Sequence, residues 1–423
     1  MLTKRRWTAA GAALAVLGGG VAVAQTATAG PAPRHCPTLH VTKGWYGDNR
    51  AKLQKMIDEQ GSCSGSGGAK PVATFDWDNT VVKNDISDAT LAWMLRNDKV
   101  LRPASWKATN KWMTDAAAAG LTKACGTSVP AGRPLPTSTD TGCTDEILDI
   151  YLDAKTSTGK KAFEGEWNAR RTVPEYVWIT QLFAGHSPAR LTAYARAARA
   201  ENLAAPIGTE QKVGTHTMAG YVRYYDQQRD LIGTLKKAGF DVYIVSASAE
   251  PLVRAWAPGV GIDRDHTIGI RNLVREGKLT TGVQGCGDVK DTNGEVLTYI
   301  DGKRCWINQE IFHVKGAKAW QQQDPAHRPA FAAGDADTDV TFVGDATAGH
   351  LAINRNKTEL MCRAYDNADH RWLVNPMFIE PKKGQADPYP CATTGYTRPD
   401  GTLGPVRRPD GSIVPDQQDR VHG

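Results

Sequence analysis

The stretch VATFDWDNTVVKND, residues 72–85, carries two carboxylates, Asp76 and Asp78, directly behind a short apolar run. Burying one carboxylate is costly, and two close together repel. A bound cation offsets both effects. Further along stand Ser246, Lys315, Asp335 and Asp339, the last two within GDADTD, residues 334–339. Four acids, one ammonium and one hydroxyl would then meet. Oxygen ligands with retained waters suit Mg²⁺. A phosphate group would complete the charge balance: the cation and the lysine would hold its oxygens, and the serine hydroxyl would donate a hydrogen bond. Lys318 competes with Lys315 for the lysine role.

Those residues are far apart in the chain, so the fold must gather them. Three short apolar runs read as strands: residues 72–75 before Asp76, DVYIVS ending at Ser246, and PAFAAGD ending at Asp335. Helical periodicity separates them. It covers residues 48–60, then a face of Ile86, Ala89, Thr90, Trp93 and Met94 with Asn84 or Asp85 as its cap. It continues over most of 145–200, over 221–238 up to Gly239, over 252–256, and over 313–323. Residues 268–306 are glycine-punctuated and hairpin-like. Helices alternating with apolar runs predict an α/β fold: a three-layer, Rossmann-like parallel sheet core with helices on both faces. The functional crevice of such a sheet lies at the carboxyl ends of its strands. Asp76, Ser246 and Asp335 each stand at such an end.

DWDNT, the strand ending in Ser246, a lysine upstream of GDADTD, and the GDxxxD form itself resemble the haloacid dehalogenase superfamily of phosphohydrolases, in the family's order, over roughly residues 70–360. The resemblance implies that Asp76 is the nucleophile and would form an aspartyl-phosphate. It implies that Asp78 is the general acid and base. Ser246 would hydrogen-bond the phosphate, and Lys315 would neutralise its charge. Mg²⁺ would be held by Asp76, the main-chain carbonyl of Asp78 and Asp335, with Asp339 as a supporting acid. The second acid, Asp78, points to phosphate ester hydrolysis, because the superfamily's dehalogenases lack it.

About 170 residues separate Asp76 from Ser246. Much of that insertion is expected to form a mainly helical cap that excludes water and reads the leaving group. Within it, FEGEWNARRTVPEYVWITQLFAG interleaves acids with large aromatics. Glu166, Trp167, Tyr176 and Trp178 are expected to face substrate, since aromatic faces beside a carboxylate suit a quaternary ammonium group. EYVWITQLFAG, with DWDNT and GDADTD, is similar to secreted bacterial phosphorylcholine phosphatases. The implied substrate is a small phosphate monoester such as phosphorylcholine. The rival readings are a broad-specificity extracellular acid phosphatase and a non-catalytic extracellular binding protein on a hydrolase fold.

The 423 residues are 41% hydrophobic and 23% charged, ordinary globular proportions. The net charge of +6 includes Lys4, Arg5 and Arg6. They open a basic, then apolar leader that reads as a signal peptide over residues 1–29, so secretion is expected. With those charges set aside there is no basic run to bind nucleic acid and no stretch long and apolar enough to span a membrane. Eight cysteines after a leader predict disulfides. Neighbours in sequence are the expected partners (36–63, 125–143, 286–305, 362–391), each stapling a local segment. The expected organisation is an N-terminal segment and linker over 30–69, a core from 70–85 and 236–380, the cap over 86–235, and a turn-rich tail over 381–423, tethered or disordered.

Overall fold

The computed structural model describes residues 36–64, 69–292 and 294–422. The expected leader lies outside the described residues. Six strands form the central sheet: β1 Val72–Phe75, β2 Asp241–Ala249, β3 Thr267–Ile270, β4 Phe331–Gly334, β5 Gly349–Asn354 and β6 Trp372–Pro376. Their spatial order is β6-β5-β4-β1-β2-β3, and every pairing is parallel. Ala73, Phe75, all of β4 and all of β5 are buried. Continuous apolar strands are what a parallel sheet covered on both faces requires.

The direction of chain travel across the sheet reverses beside β1. The chain leaves β1 for β2 on one side, and β4 returns to β1 on the other. Strand ends diverge at such a point and leave a crevice. Register settles what meets there. Phe75 pairs with Ala333 and Ile244, and the Asp76 N–H donates to the Ala333 carbonyl at 2.9 Å. Asp76 and Asp335 therefore stand side by side just past their strands.

Helices follow the expected periodicity in most places. α1 is Asn49–Gln60 and α2 is Ile86–Arg96. Asp85 is the cap of α2, its carboxylate accepting the N–H groups of Ser87 and Asp88. Between β1 and β2 the chain adds α3 Asp115–Cys125, α4 Thr141–Asp153, α5 Pro174–Gln181, α6 Pro188–Ala204 and α7 Asp226–Lys237. α8 is Glu250–Trp256.

The expectation for residues 313–323 is corrected. The α-helix lies earlier, as α9 Asp301–Glu310, and 316–320 forms only a short 3₁₀ turn. Gly316 has φ +64°, which breaks any helix crossing it. Trp306 and Ile307 of α9 are buried one turn beyond Lys303, so all three share the inward face. α10 Val340–Asp345 and α11 Thr358–Asp366 complete the set.

All four disulfides join sequence neighbours: Cys36–Cys63, Cys125–Cys143, Cys286–Cys305 and Cys362–Cys391. The C-terminal segment is tethered and packed. Tyr389, Cys391, Val406, Val414 and Val421 are buried against α11 and β5 residues in one apolar cluster. The near-repeats RPDGT and RPDGS fold alike: Asp400 accepts the Thr402 N–H at 2.9 Å and Asp410 accepts the Ser412 N–H at 2.9 Å. Among the described residues no helix is long and apolar enough to cross a membrane.

Cys362–Cys391 closes a loop with sequence separation 29. Loop-closure entropy for that length is worth about 3–4 kcal/mol. The double variant Cys362→Ala/Cys391→Ala should lose that much stability in urea unfolding. A loss under about 1 kcal/mol would mean that the apolar contacts alone hold the segment.

Candidate active site

The centre of the crevice is an ion cluster. Lys303 is wholly buried, and its ammonium sits 2.6 Å from Asp76 Oδ1 and 2.6 Å from Asp339 Oδ1. Asp335 is held by Arg355, the first residue after β5. The Thr80 hydroxyl lies 3.0 Å from Asp76 Oδ2 and 2.9 Å from Asp335 Oδ1. Asp339 folds back so that its Oδ2 accepts the N–H groups of Asp335 and Ala336, at 2.9 and 3.0 Å. Gly334 permits this return: a Cβ there would lie 2.5 Å from the Asp339 Cβ.

Burial raises the pKa of each acid, because it disfavours the charged form. Asp76 is pushed up to about 6 by burial, against Lys303 and with Asp335 adding to the rise. Asp78 stands well above the usual range through burial and the nearby Asp85 and Asp76 carboxylates. Asp335 and Asp339 are also raised by burial, opposed by Arg355 and Lys303 respectively. For Lys303 burial acts against the charge, yet Asp339 and Asp76 hold its pKa above the ordinary lysine range.

The expected residues separate into those the fold gathers and those it does not. Asp76, Asp335 and Asp339 converge, each offering an oxygen within 4.8 Å of the others. Asp78 is adjacent, but its side chain turns away from that trio. Its Oδ1 accepts the Ile86 N–H at 2.8 Å and its Oδ2 accepts the Ser248 hydroxyl at 2.8 Å. Ser246 is fully buried near the end of β2, with its Oγ accepting the Ser248 N–H at 3.1 Å.

Lys315 is corrected: it is exposed, as is its rival Lys318, and the ammonium at the acids is Lys303. The misplaced helix caused the error. Lys303 was nonetheless findable, since it shares a helical face with Trp306 and Ile307.

The crevice opens into a cavity of about 510 Å³ lined by Asp76, Asp78, Asp335 and Arg355. Asp85, Asp88, Tyr151, Tyr176 and Tyr299 line it as well. Tyr176 packs edge-to-face on Tyr299 at 5.7 Å, and the Tyr151 hydroxyl donates to Asp88 at 2.8 Å. Burial and the neighbouring Asp85 push Asp88 up to about 7. Of the aromatics expected to face substrate, only Tyr176 lines this cavity. Trp178 is wholly buried on the other side of α5, donating to Thr109 at 3.0 Å; the spacing of two residues along a helix turned it away. Glu166 and Trp167 line a separate cavity of about 200 Å³ beside Trp112. Asp85, Asp88, Tyr151, Tyr299 and Arg355 were missed, because their convergence depends on packing between distant segments.

The trio of buried carboxylates offers oxygen donors alone, with no nitrogen or sulfur ligand in the group. Such a set fits a hard divalent cation, which would offset the mutual repulsion of three acids that Lys303 and Arg355 only partly balance.

This parallel sheet order, with acids just past β1 and β4, is that of an α/β, Rossmann-like fold. A curated protein similar to this chain is a phosphorylcholine phosphatase of Pseudomonas aeruginosa, 30% identical over 198 residues, covering 43% of this chain and 55% of that protein. The chain thus spans about half the length of the curated relative it matches. A conserved protein of unknown function from Anaerococcus prevotii superposes with TM-score 0.58 at 18% identity, over 80% of this chain and 94% of that one. A substrate-bound phosphoserine phosphatase superposes at TM-score 0.30 and 13% identity, over 68% and 87% of the two chains. No family model matches the chain.

Replacing Lys303 by Met should cost about 3–5 kcal/mol in urea unfolding, because it strands two buried acids. Lys315→Ala should stay within about 0.5 kcal/mol. Similar effects would displace Lys303 from the centre of the cluster.

Burial pushes Asp76 and Asp337 up to about 6 and Asp88 up to about 7, against an ordinary value of 3.8. Between those limits the folded state binds more protons than the unfolded one, so metal-free stability should fall as pH rises from about 4 to 7. A divalent cation such as Mg²⁺, if held by the ionised Asp76, Asp335 and Asp339, should raise Tm at pH 8 but hardly at pH 5. Melting curves with chelator and with Mg²⁺ test this; a shift equal at both pH values would contradict it.

Proposed function

We propose that the protein is a secreted, Mg²⁺-dependent phosphomonoesterase that acts on phosphorylcholine or a similar small amino-alcohol phosphate. The observation that carries this reading is a single cavity that brings together two kinds of group. Asp76, bonded to Lys303, and Asp78 line it. Tyr151, Tyr176 and Tyr299 line it with Asp85 and Asp88. The first set suits a phosphoryl group, and the second suits a cationic headgroup drawn to aromatic faces and carboxylates.

In this reading Asp76 is the nucleophile and Asp78 the general acid and base. Burial favours a protonated Asp78, while the Lys303 ammonium favours an ionised Asp76. Two identical side chains thus take opposite roles. Lys303 and the Ser246 hydroxyl would hold phosphate oxygens. Mg²⁺, held by Asp76, Asp335 and the Asp78 carbonyl with Asp339 in support, would supply positive charge at the same oxygens. Residues 86–235 would act as the cap, since Tyr151 and Tyr176 come from α4 and α5 within them. Four disulfides and the leader-like N-terminus support an extracellular setting.

A panel of phosphorylcholine, phosphoserine and p-nitrophenyl phosphate, assayed with and without Mg²⁺, tests the reading. Phosphorylcholine should be preferred and Asp76→Asn should be inactive on all three. Tyr176→Ala should raise KM about tenfold for phosphorylcholine and less than about threefold for the aryl ester. Equal turnover of all three would favour a broad-specificity phosphatase. No turnover with Mg²⁺ would favour a non-catalytic binding protein.

A further inference from the structure

Strand β2 ends in Ser246-Ala247-Ser248-Ala249, and its two serines have different partners. Ser246 Oγ accepts the Ser248 N–H at 3.1 Å. Ser248 Oγ donates to Asp78 Oδ2 at 2.8 Å and accepts from Ser87 Oγ at 2.8 Å. Ser87 lies in the first turn of α2, where the Asp85 carboxylate fixes its N–H at 2.7 Å. The next N–H back along α2, that of Ile86, reaches Asp78 Oδ1 at 2.8 Å. Both serines are buried, at 6% and 3% exposure for Ser87 and Ser248. The Asp78 carboxyl group is therefore gripped on both oxygens, from α2 on one side and β2 on the other.

We propose that Ser248, backed by Ser87, is a positioning residue that aims the Asp78 carboxyl group at the leaving oxygen of the ester. The inference rests on the phosphatase reading. In the first step an Asp76 oxygen bonds to phosphorus as the bond from phosphorus to the alcohol oxygen breaks. The electron pair of that bond goes to the alcohol oxygen, which takes the Asp78 proton. In the second step a water oxygen bonds to phosphorus, and the bond to Asp76 breaks with its pair returning to the carboxylate. The water proton goes to Asp78, and phosphate departs. Both steps need the same carboxyl oxygen to point along the same line.

A carboxyl group free to rotate would meet that line only part of the time. Anchors on both oxygens remove the rotation before substrate arrives. A short side chain serves better than a long one, because a serine hydroxyl on a strand end has few rotamers to lose.

The test uses the dependence on leaving group, which a merely structural role would not alter. kcat/KM reports formation of the aspartyl-phosphate. An alkyl alcohol leaves poorly and needs the proton, whereas p-nitrophenolate leaves unaided. Ser248→Ala should lower kcat/KM about 10–100-fold for phosphorylcholine or β-glycerophosphate, and less than about threefold for p-nitrophenyl phosphate. Ser248→Thr, which keeps the hydroxyl, should restore the alkyl esters to within about threefold of wild type. Ser87→Ala should shift the ratio in the same direction by about 3–10-fold, and it carries the test if Ser248→Ala does not fold. Equal losses on both ester types, or none, would overturn the inference while leaving an active wild type as a phosphatase. A wild type silent on every ester would overturn the phosphatase reading and the inference together.

Discussion

The buried contact between Lys303 and the carboxylates of Asp76 and Asp339 organises the rest of the molecule. Three acids crowded into one crevice would repel one another and resist leaving water. A single ammonium at 2.6 Å from two of them turns that repulsion into a cluster. Breaking such a cluster is far more costly than never having built it, so every element that contributes a member must hold its place. β1 brings Asp76, the turn after β4 brings Asp335 and Asp339, and α9 brings Lys303. The parallel register between β1 and β4 is as much a requirement of the charges as of the apolar sheet.

The pocket extends that logic outward. Its acids do not all serve one cation. Asp76, Asp335 and Asp339 form the tight group, Asp78 is turned aside by α2 and β2, and Asp85 and Asp88 stand with tyrosines. Position alone thus gives residues of one chemical type three different surroundings. Arg355 and Lys303 keep the innermost acids from demanding full compensation from a metal.

Much of this was legible in the amino-acid order. The three apolar runs ending in Asp76, Ser246 and Asp335 announced both a parallel sheet and the edge at which its chemistry gathers. The four disulfides join the sequence neighbours expected as partners. What failed was local where the signals were mixed. The glycines around α9 masked a short helix, and with it the lysine. Trp178 failed for a different reason: one helical face of α5 looks into the cavity through Tyr176 while the other is core, and aromatic residues satisfy either. The tyrosines and further acids that line the pocket come from segments that nothing in a single sequence pairs.

The Cys286–Cys305 bridge closes onto α9 two residues after Lys303. Two restraints therefore fix this helix, a covalent tether at Cys305 and the buried charge contacts of Lys303. Reducing the bridge would leave packing and charge alone to keep the ammonium in place.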